Sequence, residues 1–378
     1  MLQAAEVFAA LRAEGVRFFT GVPDSLLKDF CAYVTDHAPD SDHVIAANEG
    51  AAVGLAAGHH LATGSVPLVY LQNSGLGNTI NPLMSIADSE VYALPMIVMI
   101  GWRGEPGVKD EPQHVKQGRV MLATLDAMET PYRVLSDDPV KAVEDIAWIA
   151  KRARDGSEPV ALVVRKGTFD AYALQKNDSV PFDMPRERAI EEVVAALDKQ
   201  DAVVATTGMI SRELFEIRTR RGEAARDFLT VGAMGHASAI ACGVANAQPE
   251  RQVFCLDGDG AMLMHMGSVA IQGQIAGANF KHVVINNGCH DSVGGQPTVG
   301  FRVNLGDVAR ACGYQVQEPV AEPEKIAAAV QALRAMDGPA MLEIRVRKGS
   351  RKDLGRPTSS PRENKQAFMQ FLADGSEK

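Results

Sequence analysis

The chain has 378 residues, of which 46% are hydrophobic and 22% charged, and a formal net charge of −9. That composition suits two globular domains, each able to bury its own core. The acidic balance argues against nucleic acid as the main partner. Five cysteines (Cys31, Cys242, Cys255, Cys289 and Cys312) include no closely spaced pair and read as reduced thiols of a cytoplasmic protein. No leader of basic start, apolar run and cleavage site opens the sequence. The longest apolar runs, such as 93–100, are strand-sized, so no membrane partner is expected.

In chain order, residues 1–11 read as the first turns of an amphipathic helix. Strands are expected at 16–19, 44–46, 67–71, 96–100, 202–205, 252–256, 282–285 and 341–346. Ala-rich helical stretches at 50–61, 188–197 and 326–336 lie between them. This alternation predicts an α/β fold of parallel sheets covered by helices on both faces. The polar stretch 166–186 breaks the pattern. The expected division is a first domain at 1–167, a linker at 168–186 and a second domain at 187–378. A second irregular stretch, 101–113 (GWRGEPGVKDEPQ), is long for a plain connection, and such loops are often functional.

The halves resemble each other weakly. Residues 49–58 form a small-residue helix, followed by a strand and then Asn73-Ser-Gly-Leu-Gly77. Residues 235–243 form another, followed by a strand and then Asp257-Gly-Asp-Gly260. Small residues let any helix pack close to a sheet, so the match is either generic or the trace of a duplication.

The most informative segment is Gly258-Asp259-Gly260, which follows a buried-strand pattern and precedes a helical stretch at 262–275. A glycine turn there exposes backbone N–H groups to a diphosphate. Asp259 adds a hard oxygen ligand for a bridging divalent ion. The next strand ends in Asn286-Asn287, and adjacent parallel strands bring their C-terminal ends together. Mg²⁺ suits such all-oxygen ligation. Both pieces also occur as plain turn signals. A calcium loop fails because Ala261 stands where a third ligand is required, and a dinucleotide fingerprint fails at Met262 and Met264.

Taken together, the strand, the GDG turn, the helix, the second strand and the NN pair resemble the signature of thiamine-diphosphate enzymes. The resemblance extends over almost the whole chain. It implies two doubly wound α/β domains, one binding the aminopyrimidine and one the diphosphate, with no middle domain because the linker is short. It also implies thiamine diphosphate and Mg²⁺ as cofactors. Glu49 is similar to the glutamate that hydrogen-bonds ring N1′ and stabilises the imino tautomer, although a helix-start Glu is also an ordinary dipole-compensating cap. Gly232-Ala-Met-Gly235 is similar to the loop that receives the aminopyrimidine, with the Gly232 carbonyl as acceptor and Met234 as wedge. Asp259, Asn287 and the Cys289 carbonyl would hold the ion, with Asn286 the less favoured of the pair. Thr207, Gly208, Gly258, Gly260, Ala261 and Asn73 would line the cofactor.

Within the superfamily the chain looks like phosphonopyruvate decarboxylases, with sulfopyruvate decarboxylases next. The stretches that carry this are 21–25, 101–114, 206–208, 286–297 and the tail 351–357. The implied reaction is non-oxidative decarboxylation of 3-phosphonopyruvate to phosphonoacetaldehyde and CO₂. A sulfopyruvate decarboxylase and a carboligase acting on a small 2-oxo acid are the alternatives. A doubly anionic substrate needs cations and N–H donors. Arg103, Lys109, His114 and His290 are the candidates, with Asp24 and Ser25 in a strand-to-helix turn that is otherwise a plausible helix cap. His59 and His60 read as packing or surface. Arg351 and Arg356 either reach an anion or tie down the tail. The family geometry implies a homo-oligomer, at least a dimer, with active sites at subunit interfaces.

Overall fold

The computed structural model describes residues 1–176 and 180–374. The expected linker includes residues 177–179, and the expected second domain ends with 375–378; both segments lie outside the described residues. The chain forms two compact units, Met1–Asp178 with Ser292–Gln296, and Ser179–Asp291 with Pro297–Lys378.

The first unit runs α1 (Ala4–Ala13), β1 (Phe19–Gly21), α2 (Lys28–His37), β2 (His43–Ile45), α3 (Glu49–Thr63), β3 (Leu68–Gln72), α4 (Leu76–Pro82), β4 (Met96–Gly101), α5 (Pro112–Ala127), β5 (Tyr132–Val134), α6 (Pro139–Gly156) and β6 (Pro159–Val164). Its sheet is parallel, in the order β2-β1-β3-β4-β6-β5. β4 and β6 are buried at every position, as continuous apolar runs in a sheet covered on both faces must be. Local chemistry sets the helix ends. Asn48 caps α3 by accepting from the Ala51 N–H at 2.8 Å, and Gly64 closes it in a left-handed conformation. His59 stacks on Phe18 at 4.6 Å and His60 bonds the Ser65 carbonyl, so both histidines pack locally.

The segment from 168 onward, expected as linker, packs on the first unit. Leu2 N–H donates to the Thr168 carbonyl at 2.7 Å, Phe169 is buried, and the Tyr172 hydroxyl reaches Asp36 at 3.0 Å.

The second unit runs α7 (Arg186–Ala196), β7 (Ala202–Ala205), α8 (Met209–Arg220), β8 (Asp227–Leu229), α9 (Ala237–Ala247), β9 (Val253–Gly258), α10 (Asp259–Met264), α11 (Gly267–Ile275), β10 (Phe280–Asn286), α12 (Leu305–Ala311), β11 (Gln315–Val320), α13 (Pro323–Ala335), β12 (Ala340–Arg345) and α14 (Pro361–Asp374). Its parallel sheet has the order β11-β12-β10-β9-β7-β8. Read from the other edge, this is the order of the first sheet with every strand advanced by six. The weak internal match therefore falls on equivalent elements: α3 with α9, and the ends of β3 and β9.

Sequence and structure differ in two ways. The expected helix at 262–275 is two helices, because His265 leaves the helical conformation (φ −127°, ψ 44°) and packs edge-on against His236. Four further strands, β5, β6, β8 and β11, complete the sheets. β5 and β8 are three residues long, and the β11 edge is largely exposed, so periodicity is weak there. β6 carries the same buried-strand pattern as β4.

The tail is tied to the second unit. Arg351 pairs with Glu187, Glu216 and Asp353, and the Glu216 carboxylate accepts the Gly355 N–H at 2.6 Å. Among the two readings of Arg351, the structure favours anchorage.

Candidate active site

In each sheet the strand order reverses direction beside its first strand, between β1 and β3 and between β7 and β9. Open α/β sheets hold ligands at that point, beyond the strands' C-terminal ends.

In the first unit, Glu49 opens α3 and is buried. Asn78 donates to its carboxylate at 2.8 Å. Burial pushes the carboxyl pKa above its usual range, with the Asn78 bond pulling the other way. A Cβ at Gly75 would overlap this carboxyl, so glycine is required for the turn after β3 to approach Glu49. Asp24 follows β1 and is fully buried. It accepts from the Gln72 amide at 2.6 Å and the Leu26 N–H at 3.1 Å, and burial raises its pKa too.

Asn73 exchanges hydrogen bonds with the Arg103 backbone, donating to its carbonyl at 2.7 Å and accepting its N–H at 3.2 Å. The Arg103 guanidinium donates to the Ser25 hydroxyl at 2.6 Å and grips Asp110 through two nitrogens, one at 2.7 Å. Burial would raise the Asp110 carboxyl, but Arg103 and the Gly104 and Glu111 N–H groups hold it well below the carboxylate range. The charge of Arg103 is thus already balanced within the loop. Lys109 is exposed. His114 lies buried in the first turn of α5, and the loop before it is held by the Trp102 indole N–H donating to the Gly118 carbonyl at 2.8 Å.

In the second unit, Thr207 and Gly208 follow β7. Gly258 ends β9 and Asp259, Gly260 and Ala261 follow it, Asn287 follows β10, and Gly232 and Met234 follow β8. These strands are neighbours, so one end of one sheet collects nearly all the expected cofactor residues. Ala233, between Gly232 and Met234, has φ 52°. A non-glycine residue in that region costs about 1–2 kcal/mol, a strain typical of ligand-shaping turns.

Asp259 is buried. Burial lifts its pKa to about 6, while the Thr298 hydroxyl and the Asn287 N–H (3.4 Å) oppose the rise. A sequestered carboxylate within 3.4 Å of the Asn287 backbone N–H suits a cation, and a hard oxygen donor of this kind fits Mg²⁺. Asn286 is committed elsewhere: its amide donates to the Gly300 carbonyl (2.8 Å) and Glu343 (2.9 Å), and its oxygen accepts the Gly288 N–H at 3.0 Å. Asn287 keeps its oxygen near the Cys289 N–H at 3.2 Å. Cys289 is buried, and burial with Asp291 beside it pushes its thiol pKa up. His290 lies against Gly260, where a Cβ would sit 3.0 Å from its ring. Burial lowers its pKa to about 4, so it offers a neutral imidazole rather than a cation.

Two family models match, the N-terminal thiamine pyrophosphate (TPP) binding domain over residues 2–128 and the C-terminal one over 206–344. The chain is 34% identical to a phosphonopyruvate decarboxylase of Streptomyces viridochromogenes, over 98% of this chain and 95% of that protein. The chain belongs to the phosphonopyruvate decarboxylase family of thiamine pyrophosphate enzymes. A second such decarboxylase, from Streptomyces hygroscopicus, is 35% identical over 99% of this chain and 95% of its own length. A sulfopyruvate decarboxylase of Methanosarcina acetivorans is 26% identical over 97% of each chain. As expected for this family branch, the two units carry the two binding domains, and no middle-domain model matches.

Sequence reasoning missed Gln72, Gly75, Asn78, Asp110, Asp291 and Thr298. Asp110 and Asp291 lie inside the stretches that carry the family resemblance, and Gln72 precedes Asn73. None has a pattern of its own; each is recognised by what it touches.

Proposed function

We propose that this chain decarboxylates 3-phosphonopyruvate to phosphonoacetaldehyde and CO₂ with thiamine diphosphate and Mg²⁺. The observation that carries the proposal is similarity to phosphonopyruvate decarboxylases over nearly the whole chain. When bound, the cofactor supplies the carbanion and the electron sink that loss of CO₂ from a 2-oxo acid requires. Residues 1–167 form the pyrimidine-binding domain, 168–186 the linker and 187–378 the diphosphate-binding domain.

Glu49 hydrogen-bonds the aminopyrimidine, and its raised pKa suits a carboxyl that shares a proton with a ring nitrogen. The Gly232 carbonyl would accept a hydrogen bond from the ring's amino group, and Met234 would pack against the cofactor. Asn73, Thr207, Gly208 and the N–H groups of Gly258, Gly260 and Ala261 complete the cradle. Asp259, Asn287 and the Cys289 carbonyl hold Mg²⁺. Asp24 and His114 handle protons at the reacting carbon. Ser25, Arg103, Lys109 and His290 bind the substrate's anionic groups, His290 as a neutral hydrogen-bonding group.

The assembly is a homo-oligomer in which Glu49 of one subunit serves the diphosphate site of another. Exposed apolar side chains support it: Leu55 and Leu61 on α3, and Ile271 and Ile275 on α11. All five cysteines are free, which supports a cytoplasmic setting. Among the described residues, no helix is long and apolar enough to cross a membrane.

Steady-state CO₂ release from 3-phosphonopyruvate and from sulfopyruvate tests the substrate. A higher kcat/KM on 3-phosphonopyruvate is expected. A higher value on sulfopyruvate sinks the assignment, and hydroxyketone as the main product with an aldehyde acceptor present favours a carboligase.

A further inference from the structure

The loop after β10 is braced from outside the ligand set, and the brace converges on one side chain. Asn287 donates through Nδ2 to Asp291 Oδ2 at 2.8 Å. The Cys289 thiol donates to Asp291 Oδ1 at 3.0 Å, and the Cys289 N–H donates to Asn287 Oδ1 at 3.2 Å. Arg186 donates to Asp291 Oδ2 at 2.6 Å, and the Gly349 N–H lies 3.0 and 3.1 Å from the two carboxylate oxygens. Arg186 itself is 4% exposed and paired with Glu213, which is 1% exposed, through bonds of 2.8 and 3.0 Å.

An amide side chain has a donor end and an acceptor end. Which end faces an ion depends on what holds the other. Asp291 takes the donor end of Asn287 and so leaves the oxygen as the ligating end, with one lone pair engaged by the Cys289 N–H and the other available to an ion. Through the Cys289 thiol it also restrains the residue whose carbonyl is the third ligand. The carboxylate cannot swing away, because the buried Arg186–Glu213 pair and the Gly349 N–H hold it from the other side.

We propose that Asp291 is a positioning residue for the divalent ion, setting the Asn287 amide and the Cys289 peptide, with Arg186, Glu213 and Gly349 as its brace. This rests on the assignment of Asp259, Asn287 and the Cys289 carbonyl as ion ligands.

The test is calorimetric titration of Mg²⁺ into full-length protein saturated with thiamine diphosphate, beside steady-state kinetics at rising Mg²⁺. Asp291→Asn should weaken Mg²⁺ binding about tenfold to a hundredfold, and kcat should return toward the wild-type value at high Mg²⁺. Mg²⁺ affinity unchanged in Asp291→Asn overturns the proposal, as does a fall in kcat that no Mg²⁺ concentration restores.

Should Asp291→Asn not fold, Asp291→Glu takes its place, which keeps the charge and shifts the carboxylate by one methylene; Mg²⁺ binding weakened about tenfold supports the proposal, and unchanged binding overturns it. Asp259→Ala separates this idea from the reading beneath it. If Asp259→Ala binds Mg²⁺ as wild type does, the ligand assignment fails. If it loses Mg²⁺ while Asp291→Asn keeps it, only the role of Asp291 fails.

Discussion

Burial decides the chemistry of Glu49, and two neighbours decide its position. Its carboxyl is held by Asn78 and lies against Gly75. Glu49→Gln keeps the shape and removes the shared proton, so kcat should fall at least a hundredfold with thiamine diphosphate affinity within about threefold, measured by CO₂ release and cofactor titration. Gly75→Ala leaves Glu49 in place chemically but pushes it off its seat. Activity should fall about tenfold or more while the folded far-ultraviolet circular dichroism spectrum is kept. Wild-type activity in Gly75→Ala would mean the carboxyl need not sit where the structure has it. Glu49 stands out in the sequence because it opens a small-residue helix within a stretch that resembles a family motif. Gly75 and Asn78 do not, because their importance comes from a contact between α3 and the turn after β3.

The loop from Trp102 to Glu111 behaves as an element although it contains little regular structure. Asp110 organises it, binding the Arg103 guanidinium through both oxygens and accepting two backbone N–H groups. Charge-assisted bonds of this kind contribute about 1.5–3 kcal/mol each. Asp110→Asn should therefore loosen the loop, raise KM for the 2-oxo acid about tenfold and speed proteolysis between 104 and 111, with kcat changed less than KM. Unchanged KM would show that Arg103 does not serve the substrate. The sequence marked this loop as irregular and functional. It did not reveal that the loop neutralises its own arginine, because that pairing depends on a fold-back over seven residues. The division of 262–275 into α10 and α11 has a similar origin: the helical pattern runs through His265, and packing against His236 ends it.

Stability and assembly belong to the whole molecule. His43 bonds the Tyr70 hydroxyl at 2.8 Å, and burial lowers its pKa from 6.5 to about 4. The folded state then binds the proton more weakly than the unfolded state, so stability falls as pH drops from 6.5 toward 4. The loss is about 2–3 kcal/mol over that window. Thermal unfolding at pH 7 and pH 5 should show about two-thirds of this loss in the wild type and a smaller one in His43→Asn. Assembly is tested on α11, where Ile271 and Ile275 are 62% and 57% exposed. Ile271→Asp/Ile275→Asp should shift sedimentation toward monomer and lower activity with it, whereas an unchanged oligomer would place the interface elsewhere.

At this scale the sequence by itself determined the α/β class and the family. Those signals are local: strand runs, small-residue helices, a glycine turn and an Asn pair keep their spacing whatever surrounds them. Only the tertiary structure decided that both units share one strand order, that Arg103 is paired with Asp110 and that His290 is a neutral group against Gly260. It also decided that Asp291 holds Asn287. Each of these depends on burial or on contacts between side chains carried by different segments. Burial and contact set charge and orientation, and neither is a property of a residue's neighbours along the chain.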